Sequence, residues 1–413
     1  MLRMIIYCNY KNNNEFGANL CYYYNSCFLS EQPNAKGMHF LDILRKIKSF
    51  NDEDVLLTNS GPYDWIFHYL REKYNKNFTI VRDIHTTLWG GYLMQEKLCS
   101  KYSNENDKLI IPSEFTRQFY IKLFSHLNEK NTSVCFPVMH SFQNHPKIEK
   151  HKQENKIVLG WLGHLSKEKN FDQALQIFIE SSKSLKEKNI QFLACGKPQA
   201  EYSRDRIISL LNKHKIDQRN YIHINEGKPI LHQRIWEFLK NIDVMLFPST
   251  ANLESCPRVL VEANHMGIPI IASEHGGGYN VVPKENLVRT NYVSKSTDLI
   301  NNQPLGKIDI VEAVQKVENY HKLKLNKNII CKDHDKKLLA ILNNQKTREK
   351  AELDDKTKEF IKNTDLFLNK KYREDIRKAI QILSINNHYD IGSTAYKIAN
   401  GLNFKVYAKF NNI

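Results

Sequence analysis

No long apolar run occurs in these 413 residues, and mean hydropathy is −0.54, which argues against a helix of about 20 residues crossing a bilayer. The segment Met1 to Tyr10 is apolar but too short for a secretory signal, and Asn and Lys follow at once. Paired cysteines are also missing. Cys8, Cys21, Cys27, Cys99, Cys135, Cys195, Cys256 and Cys331 are scattered, with no C-x-x-C and no nearby His spacing. That reads as reduced, mostly core-filling cysteine in a cytoplasmic protein, and it speaks against disulfide frameworks and zinc sites. There is no G-x-S-x-G, Walker loop or H-E-x-x-H, which removes the common hydrolase, nucleotide-phosphatase and metalloprotease readings. The net charge is +15, yet no tight basic cluster with interleaved aromatics is present. Nucleic-acid binding is therefore not expected, whereas an anionic partner is, including peripheral association with an anionic membrane at its inner face.

Short apolar runs alternate with helical patterns, twice over. In the first half, strands are read at Leu2 to Tyr7, Asp54 to Thr58, Phe78 to Asp83, Lys108 to Ile111 and Val134 to Pro137. Between them, Tyr63 to Tyr74 carries Trp65, Ile66, Tyr69 and Leu70 at helical spacing. Asn144 to Glu154 is polar and strandless and reads as a linker. A second series begins at Ile157 and continues through Gln191 to Cys195, Tyr221 to Ile224, Val244 to Phe247, Ile268 to Ala272 and Asn286 to Arg289. Repeated alternation of this kind means parallel sheets covered on both faces. The expectation is an α/β protein with two Rossmann-like domains facing across a cleft, residues 1–150 and 151–330, and a Lys-rich helical extension over 331–413.

The densest signal runs from Asp243 to Val282. Two buried strands flank a polar turn and a helix, Arg258 to Met266, with Pro257 at its start and Gly267 after its end. Glu254 and Glu262, with seven residues between them, bracket the turn and the first helical turns. Ligands of open α/β sheets bind outside the carboxyl ends of the strands, and a helix N-terminus there attracts phosphate. Phosphate attraction beside two acceptor carboxylates suits a nucleotide diphosphate sugar.

This segment resembles the E-x7-E signature of retaining glycosyltransferases of the GT-B fold, in particular the family 4 group. The resemblance rests on Pro248-Ser249, the Glu254-Ser255-Cys256-Pro257 turn, Glu262-Ala263, Gly267-x-Pro269 and Gly276-Gly277. It implies that Glu254 touches the donor sugar and Glu262 the nucleotide ribose, with Ser255, Cys256, Pro257, Arg258 and Val259 lining the donor site. It also implies a diphosphate clamp at Gly163-His164 and Lys169, after the strand that ends in Trp161-Leu162. The family shows Arg where His164 stands, so nucleotide affinity is expected to rise as pH falls from 8 to 6. In the first domain the resemblance implies a donor-facing His85 after the strand ending Arg82-Asp83. The usual glycine loop is reduced to Glu15-Phe16-Gly17-Ala18, leaving Gly17 as a weak acceptor-side candidate. Ser113 reads as a helix N-cap. Asn280 stands where many relatives carry Glu.

The sequence thus leads to a metal-independent retaining glycosyltransferase without cofactor, acting on a glycan, lipid-linked or small-molecule acceptor. By association with the family, its setting is surface glycan synthesis, such as lipopolysaccharide or capsule. The competing reading is a non-catalytic binding subunit of the same fold that supports an active partner, favoured by the loss of Arg at 164. Asp52-Glu53-Asp54 and Asp333-His334-Asp335 have the D-x-D form of metal-binding transferases. The first precedes a strand and the second opens a helix, so neither is expected to hold a metal.

Overall fold

The computed structural model describes residues 4–9, 25, 28–59, 64–85, 90–135, 155–224, 232–251, 254–292, 304–326, 334–345, 353 and 355–362. Gly17, the expected linker at Asn144 to Glu154 and most of the extension expected over 331–413 lie outside them. Contacts divide the chain into two units. Unit 1 comprises Met1–Val138, Asp298–Ile300 and Lys332–Ile413, and unit 2 comprises Met139–Thr297 and Asn301–Cys331.

Unit 1 holds a six-stranded parallel sheet in the order β2-β1-β3-β4-β5-β6. The strands are β1 (Ile6–Asn9), β2 (Ala35–Met38), β3 (Val55–Thr58), β4 (Thr79–Asp83), β5 (Lys108–Ile111) and β6 (Thr132–Val134). Alternate residues feed separate cores on the two faces. Leu56 and Ile80 join Trp65, Phe67 and Leu70 of α2 (Trp65–Lys73) on one face. Val55, Leu57 and Val81 join Leu338, Ile341 and Leu342 of a C-terminal helix, His334–Leu342, on the other. The tail after residue 331 therefore supplies part of this unit's core. Two buried ion clusters brace the unit. Arg82 on β4 pairs with Glu96 of α3 (Gly90–Tyr102), and Arg71 on α2 bridges Asp107, which also faces His68 at 3.1 Å.

Unit 2 has a second six-stranded parallel sheet, in the order β12-β11-β10-β7-β8-β9. It is built from β7 (Lys156–Leu162), β8 (Asn189–Cys195), β9 (Tyr221–Ile224), β10 (Val244–Phe247), β11 (Ile270–Ser273) and β12 (Leu287–Val288). Counted from β7 this is the doubly wound order 3-2-1-4-5-6, which reverses direction between β7 and β10. Its core packs Trp161, Phe171, Phe178 and Phe192, with Trp161 and Phe171 rings 4.9 Å apart. Phe171 opens α5 (Phe171–Ser184), whose Ala174, Leu175 and Phe178 recur at helical spacing. A small antiparallel pair, β13 (Thr290–Tyr292) and β14 (Gly306–Ile308), was not expected from the sequence.

Several boundaries differ from the sequence reading for physical reasons. The strand expected at Leu2 starts at Ile6, where pairing to Ala35 and Val55 begins. The strand expected from Ile268 starts at Ile270, because Pro269 has no N–H to donate and contributes only its carbonyl, to Met245. Edge strand β2 was missed altogether, since Ala-Lys-Gly-Met has no apolar run and is only half-buried.

Candidate functional site

The reversal between β7 and β10 places two loops side by side at the carboxyl edge of the unit 2 sheet, and the expected donor residues sit on them. Gly163 ends β7 at φ +144°, a conformation L side chains rarely adopt, although a Cβ would meet nothing within 4 Å. Its amide donates to Cys195 O at 2.9 Å, and Leu165 N donates to Lys197 O at 3.0 Å, tying this loop to the end of β8.

Asn170, left-handed at φ 56°, does not cap α5 with its side chain. Its Nδ2 instead donates to Pro248 O at 2.9 Å, Thr250 Oγ1 at 2.9 Å and Gly306 O at 3.1 Å. The loop after β7 is thereby pinned to the loop after β10. One result is the contact of Lys169 Nζ with Glu254 Oε1 at 2.5 Å, a part-buried ion pair. Ser249 Oγ donates to the same carboxylate oxygen at 2.9 Å.

Glu254 is held from behind by the paired glycines. Gly277 N donates to Glu254 O at 2.9 Å. A Cβ at Gly276 would lie 2.4 Å from Glu254 O, and one at Gly277 would lie 2.1 Å from Ser255 O. Backbone touches backbone here, and only glycine allows it.

Pro257, in extended conformation, is the N-cap of α8 (Arg258–His265), one residue earlier than the first-turn position expected. The helix presents its N-terminus beside the Glu254 turn, with Ser255 buried, Cys256 half-buried and Val259 half-buried. Glu262 is fully buried and accepts from Arg258 Nε at 2.9 Å, an i,i+4 pair along one helix face. Arg258 Nη1 is enclosed without a hydrogen-bond partner among the described residues.

His164 lies exposed at the loop, and its pKa is pushed below the ordinary imidazole value. Partial desolvation is the main cause, and the Lys169 and Lys197 charges add to it.

Sequence reasoning assigned no role to His275, which follows β11 in Ser273-Glu274-His275-Gly276. It is fully enclosed, its Nε2 lies 3.0 Å from Ala251 O, and its Nδ1 lies 3.1 Å from Tyr292 OH. Burial pushes its pKa down to about 4. The available signal was a histidine just past a strand's carboxyl end, within the glycine turn.

In unit 1, His85 is buried just past β4, its Nε2 3.0 Å from Asp83 Oδ2. Asn25 Nδ2 also donates to Asp83 Oδ2, at 2.9 Å. Ser113 caps α4 (Glu114–Leu123), its side chain accepting from Thr116 N at 3.3 Å. In the first D-x-D, Asp54 accepts from Asn51 N, closing a turn, and from Ile5 N, and Asp52 accepts from Asn77 N, so these carboxylates tie backbone segments together. Among the described residues no three His, Cys, Asp or Glu side chains converge as a metal cluster, and no helix is long and apolar enough to cross a membrane. A cavity of about 500 Å³ in unit 1 lies at the opposite, amino edge of β5 and β6. Its Asn104, Asn128 and Asn131 close local turns there.

The family description "Glycosyl transferases group 1" matches residues 142–303. No curated protein sequence matches the chain. Among solved structures, the N-terminal domain of Candida albicans trehalose-6-phosphate phosphatase aligns with 88% of this chain and 96% of its own, at 13% identity and TM-score 0.53. The G117R mutant of S. aureus TarM, in complex with fondaparinux, α-GlcNAc-glycerol and UDP, aligns with 80% of this chain at 14% identity and TM-score 0.45. The chain spans 58% of the length of that structure. An E. coli trehalose-6-phosphate structure bound with UDP-2-fluoro glucose aligns with 89% of this chain and 99% of its own, at 11% identity and TM-score 0.47. Unit 2 is thus similar to the glycosyl transferases of group 1, and the chain's two parallel-sheet α/β units resemble GT-B glycosyltransferases.

Proposed function

We propose that the protein is a retaining glycosyltransferase that moves a sugar from a nucleotide diphosphate donor to an acceptor hydroxyl. The observation that carries this reading is the convergence of Lys169, Glu254 and the α8 N-terminus at the reversal point of the unit 2 sheet. Lys169 and Glu254 neutralise each other in their ion pair. An arriving diphosphate competes for the ammonium, and the freed Glu254 carboxylate accepts hydroxyl hydrogen bonds from the donor sugar.

Charge develops on the departing diphosphate as the glycosidic bond breaks. Lys169 and the first N–H groups of α8 are preorganised there and need no reorganisation at that moment. These groups meet the diphosphate charge in place of a metal ion. Retention follows from front-face attack by the acceptor hydroxyl through an oxocarbenium-like state. A double displacement would need a carboxylate nucleophile close to the reacting carbon. Glu254, which keeps its hydrogen bond from Ser249, is spent in this reading on the donor's hydroxyls. Surface-glycan synthesis remains the setting proposed from the family resemblance.

The test is incubation with UDP-glucose, UDP-N-acetylglucosamine, GDP-mannose and ADP-glucose, following nucleotide release and the anomeric configuration of the product by proton NMR. Release from one donor with an unchanged anomer supports the reading. Inversion removes the retaining mechanism, and absence of turnover with every donor and a mixed glycan acceptor pool removes the enzyme.

A further inference from the structure

We propose that His275 is a positioning residue for Glu254, acting through the Ala251 carbonyl. This rests on the glycosyltransferase reading of the same site. Ala251 O receives two donors, Glu254 N at 3.2 Å and His275 Nε2 at 3.0 Å. Two residues after His275, Gly277 N donates to Glu254 O at 2.9 Å. The His275–Gly277 turn therefore grips both ends of the Ala251–Glu254 turn. These two contacts on the Ala251 and Glu254 carbonyls fix the Glu254 backbone and so set where its carboxylate points, towards Ser249 and Lys169.

The tautomer follows from the partners. Ala251 O can only accept, so Nε2 carries the hydrogen, and Nδ1 accepts from Tyr292 OH at 3.1 Å. Burial keeps the ring neutral near pH 7, since the free energy of charging it inside the unit opposes protonation. A neutral imidazole gives one donor and one acceptor on opposite edges of a rigid plane. It thus spans from the β11 end to β13, which carries Tyr292, and to the β10 loop at once. A hydrophobic side chain of equal size would fill the space and leave Ala251 O with only the Glu254 amide.

Glutamine places an amide nitrogen close to the Nε2 position, whereas leucine offers no donor. The experiment compares His275→Gln and His275→Leu for turnover and KM, using whichever of the four sugar nucleotides above the parent consumes. Both are also made in a Glu254→Ala background. The expected result is a 10-fold or larger fall in kcat for His275→Leu with little change in donor KM, and recovery of most of it in His275→Gln. In the Glu254→Ala background His275→Leu causes no further fall, because its effect passes through that carboxylate. If His275→Leu lowers kcat by the same factor in both backgrounds, or if Gln does no better than Leu, the inference is overturned and the enzyme reading stands. If the parent consumes none of the four donors, both fall together. Should His275→Leu fail to fold, the Gln variant and Tyr292→Phe carry the same cycle. Tyr292→Phe removes the donor to Nδ1, and retention of full kcat by Tyr292→Phe overturns the inference.

Discussion

Adding one methyl group at Gly277 is the sharpest mechanical test of how the Glu254 turn is held. Gly277 has φ −68° and ψ −4°, ordinary helical values that alanine adopts freely, so Gly277→Ala carries no backbone strain of its own. The new Cβ would nevertheless lie 2.1 Å from Ser255 O, 2.7 Å from Ser255 C and 2.8 Å from Cys256 Cα. All three are backbone atoms, so no side chain can swing aside. The first contact is about 1 Å short of what real Cβ atoms tolerate, and the turn must retreat by that much. Overpacking of this kind costs about 1–3 kcal/mol. For a unit of this size each kcal/mol lowers Tm by about 2–4 °C. The functional loss is larger, since misplacing a reacting group by about 1 Å can cost on the order of 100-fold in rate. The next residue supplies the control. At Gly278 a Cβ would meet Ser273 O at 3.5 Å, an ordinary contact, so Gly278→Ala should match the parent. Thermal unfolding and donor turnover, measured for the two variants side by side, decide the point. Equal turnover in Gly277→Ala and Gly278→Ala would refute the claim that this close approach positions Glu254.

Three further outcomes follow from the same geometry. Glu254→Ala should cut turnover by about 10- to 100-fold while the fold persists, since a hydrogen bond to a charged group is worth about 1.5–3 kcal/mol and this one strengthens in the transition state; near-parental transfer would remove Glu254 from the donor site. His68 and His275 both sit at about 4 in the folded state, so above pH 6.5 neither affects stability. As pH falls from 6.5 towards 4 the unfolded chain takes up protons that the native protein refuses, which costs up to about 3 kcal/mol per histidine. Urea titrations between pH 7 and 4.5 should show this decline, with a shallower slope in His275→Gln, and an unchanged slope in that variant would contradict the buried neutral imidazole. Nucleotide affinity should rise as the pH falls and His164 gains charge beside the diphosphate, and His164→Arg should flatten that profile; a flat profile in the parent would show that His164 does not face the diphosphate.

The parts of the structure that were legible in the sequence are those set by local pattern. Val244 to Phe247 reads as a buried strand because its four consecutive apolar residues are all covered. Phe171 to Lys183 reads as a helix because its apolar residues recur on one face. Glu254, Lys169 and Gly163 stand out as candidates because they follow strand ends in turn segments and match the family resemblance. The illegible features depend on contacts between distant segments. Lys169 meets Glu254 only because Asn170 spends its amide on Pro248, Thr250 and Gly306 instead of capping its own helix. His275 gains meaning from a carbonyl 24 residues earlier. The tail beyond residue 331 showed a helical pattern, but nothing local indicated that Leu338, Ile341 and Leu342 would complete the core of unit 1.

The central claim is that Lys169 and the Glu254 turn form a nucleotide diphosphate site, and isothermal titration tests it most directly. UDP, GDP and ADP are titrated into the parent chain and into Lys169→Ala. The account predicts saturable one-site binding of one of them to the parent, weakened 10-fold or more in the variant, as expected for the loss of a charge-assisted contact. Binding of equal strength to both proteins, or no binding of any of the three to the parent, would contradict it.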